Sequence, residues 1–143
     1  MNAFLQLLTA FIGTFGFSIL FHIRGRKLWL AALGGLFAWT AFLGLGFWIE
    51  SEPVRYFIVS MLTTLYAEVL ARLVKTPTTT FIIVSLIPLI PGSGLYYTMA
   101  NALSGNSEGF MERGIYTLEL SLALSLGIIL VTSFIRRVKI AKK

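Results

Sequence analysis

The feature that most constrains this chain is how its apolar residues arrive. They come in five blocks of roughly 20 residues, each closed by a short polar turn. The blocks cover about residues 3–21, 28–49, 54–74, 78–103 and 110–135. At about 1.5 Å per residue, about 20 helical residues cross a hydrocarbon layer of about 30 Å. In lipid every backbone amide and carbonyl must be bonded internally, which a helix does by itself. Composition agrees: 57% of residues are hydrophobic and 13% charged, too few charges for the surface of a soluble domain. The expected fold is all-α, an integral membrane helical bundle of about five transmembrane helices, forming one domain over residues 1–143. The first block has no basic flank before it and no evident small-residue cleavage site, so it is expected to remain as a span.

The residue inventory excludes several chemistries. The chain has no cysteine, no aspartate and one histidine, His22. A disulfide framework, a thiolate metal site and a His/Cys/Asp metal cluster are out of reach, and a serine triad would need glutamate as its third member. No nucleophile–base pairing points to an enzyme, and nothing in the sequence asks for a cofactor. The net charge is +6, with Arg136, Arg137, Lys139, Lys142 and Lys143 in the last eight positions. A basic tail can bind nucleic acid, but beside an apolar span it marks a cytoplasmic end facing anionic lipid.

Lys and Arg set the orientation. Arg24, Arg26 and Lys27 follow the first block, and Arg72 and Lys75 close the third. The other two loops each hold one arginine, Arg55 or Arg113, beside two glutamates. Basic-rich and basic-poor loops alternate, so the sequence predicts an outside N-terminus and a cytoplasmic C-terminus, and argues against insertion in both directions. In the second block Ala31, Gly34, Gly35, Ala38 and Ala41 make a small-residue face for close helix approach. Packing within the chain is the simpler reading of that face, and a subunit interface the other.

The run Ser85–Met99, SLIPLIPGSGLYYTM, is the most informative segment. Proline removes an amide donor and clashes with the preceding turn. Pro88 and Pro91, followed by Gly92, Ser93 and Gly94, should end one half-helix and begin another at membrane depth, with Ser93 as the expected N-cap. A simple proline kink is the competing reading. A half-helix N-terminus offers free amides and partial positive charge to a carboxylate. With no basic residue between Lys75 and Arg113, the amides of Gly92, Ser93 and Gly94 are the local anion site. Tyr96, Tyr97 and Asn101 follow, and Tyr97 and Asn101 share a face. They suit a substrate path, and the tyrosines suit interfacial anchoring equally well.

Glu68, Arg72, Glu112 and Glu119 are ionisable residues in or near spans. Glu68 and Arg72, four apart, can pair on one helix face. Arg72 can also simply snorkel to the cytoplasmic surface. Glu119 is the deepest, and a charge at the centre of a lone span costs about 2.5–3.5 kcal/mol. It is expected to be shielded inside the bundle and to carry a proton or contact substrate, with a structural hydrogen bond as the alternative. Glu112 is expected at the interface, and His22 in solvent.

Three stretches, GFSILFHIRGRKLWLAALGG (16–35), AEVLARLVKTPTTTF (67–81) and SLIPLIPGSGLYYTM (85–99), resemble in order the C-terminal membrane domain of the threonine/serine exporter family. The third is the most specific. Gly25 stands where the resemblance leads one to expect a proline beside the basic pair. The resemblance implies Pro91, Gly92, Ser93 and Tyr96 as motif positions. It also implies export of threonine and serine or, in split pairs, of succinate-like dicarboxylates. In this family the domain is fused to a partner membrane domain or stands as a short subunit, and the length here looks like the second form. The implied partner is a larger subunit with its own five-span region. Starting on opposite sides of the membrane, the two halves would make an inverted repeat with a site near the midplane. The competing class is a non-transporting assembly or scaffold subunit, which would need neither a broken span nor a buried Glu119. Without the partner, its apolar docking surface would favour a homo-oligomer.

Overall fold

The computed structural model of the chain describes residues 2–141, and no strand occurs among them. Lys142 and Lys143 of the basic tail lie outside the described residues. Six helices follow in order: α1 (Ala3–Leu20), α2 (Arg26–Leu45), α3 (Glu52–Leu73), α4 (Thr78–Leu86), α5 (Gly92–Leu103) and α6 (Ser107–Ala141). A 3₁₀ turn, Ile87–Leu89, extends α4. Four of the helices are long and apolar enough to cross a membrane, and the bent pair α4–α5, taken as one broken span, brings the number to five. The expected helical bundle with a broken fourth span is therefore what forms.

The helix ends follow local rules. Pro53 occupies the first turn of α3, where its missing amide costs nothing. Three helices close on the same reverse turn. After α1, Ile23 N–H bonds the Ser18 carbonyl and His22 N–H that of Ile19, with His22 at φ 57°. After α3, Thr76 N–H bonds the Ala71 carbonyl, with Lys75 at φ 50°. After α5, Asn106 N–H bonds the Asn101 carbonyl, with Gly105 at φ 72°. This is the Schellman arrangement, whose left-handed position favours glycine. Only the third turn has one.

The helices form an open row. α1 lies on α2, the three helices α2, α3 and α4 pack mutually, α6 lies along α3, and α5 rests on α6. Small side chains set the closeness of the centre. Ala31, Gly34, Gly35 and Ala38 of α2 are buried. A methyl group on Gly34 would strike Ser85 of α4 and Tyr66 of α3, and one on Gly35 would strike Thr14 of α1. The small-residue face thus packs within the chain. One apolar cluster joins Ala38, Phe42, Tyr56, Val59, Leu86, Leu89 and Leu120, and a second joins Ile23, Ala31, Ala67, Ala71, Phe81 and Val84. Buried hydroxyls of Thr14, Ser18 and Thr117 donate to the carbonyl four residues back, which satisfies them without a second helix.

Candidate functional site: a broken span and an acidic groove

The break is built by four residues. Pro88 lies in the 3₁₀ turn. Ile90 is extended (φ −64°, ψ 124°), as a residue before proline prefers. Pro91 (φ −74°, ψ 61°) then turns the chain, and α5 starts at Gly92 with its axis 60° from that of Thr78–Leu89. Gly92 N–H bonds the Ile90 carbonyl at 2.7 Å, and Leu95 N–H bonds that of Pro91 at 3.1 Å. Between them, the amides of Ser93 and Gly94 belong to the first turn, where a helix offers no internal acceptor. Ser93 is not the N-cap: Pro91 holds that position, without a side-chain bond, because its ring already fixes the φ that starts the helix. Ser93 is the second helical residue and is exposed.

Gly94 faces α6. A methyl group there would collide with the Thr117 side chain, and one on Gly114 would touch Thr98. The first half of α6 therefore lies antiparallel against α5. Pro91 is buried, yet no residue of α5 itself is. Tyr96 and Tyr97 are exposed and meet edge to face at 5.3 Å. Asn101 is committed to the hairpin end: its Nδ2 donates to the Tyr97 carbonyl at 2.9 Å and its Oδ1 accepts from Asn106 Nδ2 at 3.1 Å. On the other side of the break, Pro88 lines a cleft of about 220 Å³ with Gln6, Thr9, Ala10 and Trp39. Trp39 Nε1 donates to Gln6 Oε1 there at 3.3 Å.

Glu119 differs from expectation. It is exposed, because it lies on the flank of α6 turned from the apolar cluster that its neighbour Leu120 joins. With Glu52, Glu112, Arg113, Ile115 and Tyr116 it lines an open groove of about 620 Å³. Tyr116 donates a hydrogen bond to Glu52 Oε2, tying α6 to the first turn of α3. Gly92, Ser93 and Gly94 do not line this groove, so the amide site and Glu119 are two places. The buried carboxylate is Glu68, 7% exposed, with Arg72 Nε 3.8 Å from its Oε2. Arg72 itself is exposed. Glu52, Tyr116 and Thr117 were not singled out from sequence. The spacing of Glu112, Tyr116 and Glu119, which puts them on one helix face, was the available signal.

Residues 6–134 match the family model described as Threonine/Serine exporter, ThrE. The chain belongs to this family. The match takes in the break, the acidic groove and both faces of α3, and stops before the basic tail. The chain is thus a multi-pass membrane protein of a threonine/serine exporter-type transporter family. No curated protein and no solved structure matches the exporter chain.

Proposed function

We propose that this chain is one half of a secondary exporter of small carboxylates, either threonine and serine or succinate-like dicarboxylates, working with a larger subunit that supplies a complementary five-span domain. The observation that carries the reading is the broken fourth span. Its second half, α5, presents Gly92, Ser93 and Gly94 at membrane depth and rests on α6. Irregular backbone at that depth is stable only when it is covered by protein or lines a polar cavity. A second membrane domain placed over α5 would supply both. Ser93 and Gly94 amides would hold the substrate carboxylate, Tyr96 and Tyr97 would face it, and the groove with Glu119 and Glu112 would form the outer vestibule. Pro91 sets the angle, and Asn101 ties the outer hairpin. An N-terminus outside and a C-terminus in the cytoplasm follow from the alternation of basic loops. A partner that starts inside would complete an inverted repeat.

Counterflow in liposomes tests this. The chain with its larger partner is expected to exchange labelled threonine or succinate, and the chain alone is not. Robust counterflow by the chain alone overturns the partner requirement, and none from the pair overturns the transport reading. Because the chain has no cysteine, single cysteines near either terminus report orientation with an impermeant label. Labelling of the C-terminal site in intact cells would reverse the assignment.

A further inference from the structure

We infer that a small groove between the C-terminal turns of α3 and α6 binds a zwitterion of the α-amino-acid class, held by its two opposite charges between Glu68 and Arg72. As an entry site for export, it rests on the transport reading above. Both residues line the groove, together with Leu65 and Val69 of α3 and Phe134 and Val138 of α6. Its volume is about 160 Å³, the room of about five waters at about 30 Å³ each. That suits a molecule of a few heavy atoms.

The pair differs from an ordinary one on a helix surface, where both partners stand in water. Glu68 is 7% exposed, and only Arg72 reaches outward, with its side chain 54% exposed. Arg72 Nε is 3.8 Å from Glu68 Oε2, beyond the about 2.7–2.9 Å of a charge-assisted hydrogen bond. Glu68 Oε2 is buried and has no hydrogen-bond partner among the described residues. Taking a carboxylate out of water is costly unless hydrogen bonds replace those lost. α6 supplies none, since it brings Phe134, Ile135 and Val138 to the groove. The hydroxyls of Thr63, Thr64 and Ser85 also lack partners. An unpaired hydroxyl costs far less than an unpaired carboxylate, however, and none of the three lines this groove.

An ammonium carries three donors, and a guanidinium presents a fork of five. An amino acid lodged here would give its ammonium to the Glu68 carboxylate and its carboxylate to the exposed fork of Arg72. One loose contact would be replaced by two charge-assisted ones, and the apolar walls lower the local dielectric and strengthen both. Arg72 lies one turn nearer the C-terminal end of α3 than Glu68. That end is the cytoplasmic one in the orientation proposed above, so the ammonium would enter first. A dicarboxylate would bring its second negative charge against Glu68 and be repelled. Of the two substrate classes proposed, the groove therefore selects threonine and serine. Gly92, Ser93 and Gly94 do not line it, so a substrate would meet this groove first and the break afterwards.

Every group of the site belongs to this chain, so the test uses the purified full chain in nanodiscs. The chain has no cysteine, and Val138→Cys places one on the groove wall. Threonine is expected to protect that cysteine from a maleimide. Succinate, N-acetylthreonine and threonine methyl ester, each lacking one charge of the zwitterion, should not. Glu68→Gln keeps the size of the side chain and should raise the threonine concentration needed for protection about tenfold or more, the equivalent of one hydrogen bond to a charged group. Arg72→Lys keeps the charge but loses the fork and should raise it less. No protection by threonine, protection unchanged in Glu68→Gln, or equal protection by succinate overturns the proposal. A two-subunit pair that fails to exchange threonine, although the chain binds it in this groove, would count against the transport reading alone and leave the site standing.

Discussion

The centre of the row of helices and its α5 end are built differently. Along α3, 44% of its best membrane-length window is buried within the chain, whereas along α6 the share is 11%. Around α3, glycine and alanine let three helices close on one another, and polar groups lie inside. Around α5, glycine lets one helix lie on α6 alone, and the rest of its surface is turned outward. The first arrangement is complete within one chain. The second leaves most of the surface of α5 uncovered by this chain, and the difference separates residues held in close packing from residues that pack against little.

The largest expected effect is at the compact centre. Leucine at Gly34 would drive into Ser85 and Tyr66, each with a side-chain carbon 2.9 Å from where its Cβ would stand. Overpacking of that kind should cost about 3 kcal/mol or more. Gly92→Leu, with nothing within 4 Å, should change stability by under about 0.5 kcal/mol. Thermal unfolding of the purified variants in detergent checks the pair, and equal losses would erase the distinction between the two regions.

Ser93→Pro comes next. A proline in the first helical turn breaks no internal bond, so unfolding should be little changed, while an amide is removed from the proposed carboxylate site. Substrate affinity of the complete transporter should fall about tenfold, the equivalent of one hydrogen bond to a charged group. Calorimetric titration with threonine and with succinate measures it, and unchanged affinity for both would move the site away from the break.

Tyr116→Phe removes the bond from α6 to Glu52, which ties α6 to the first turn of α3. A loss of about 1 kcal/mol is expected, visible as faster hydrogen exchange in the first turns of α3 and α6. The smallest effect should be a gain. His22 holds the left-handed position of its turn at φ 57°, where the α5–α6 turn has Gly105. His22→Gly should raise stability by about 0.5–1 kcal/mol through relief of that conformation, read as a higher melting temperature.

Much of this was legible in the chain. Five apolar blocks are five spans because lipid leaves the backbone no other way to bond itself. Pro88, Pro91 and the glycines after them had to break the fourth, and the 60° bend lies there. Position along the chain also gave the depth of Glu119 in its span. It could not give the direction in which Glu119 points, since a helix presents every direction within two turns. Ser93 is not the cap for a related reason: serine's capping preference is real, but Pro91 sets the dihedral angle that starts the helix.

The sequence by itself determined the solvent, the number of crossings, the place of the break and the distribution of charge between the two sides, all of which follow from local composition and backbone chemistry. Only the tertiary structure decided which carboxylate is buried and which is open. Glu68 is covered because α6 lies along α3 and brings Phe134, Ile135 and Val138 beside it. Glu119 is uncovered because it lines the open groove with Glu52 and Tyr116 instead of the apolar cluster that its neighbour Leu120 joins. Burial is a property of the pair of surfaces that meet, and one surface cannot supply it alone.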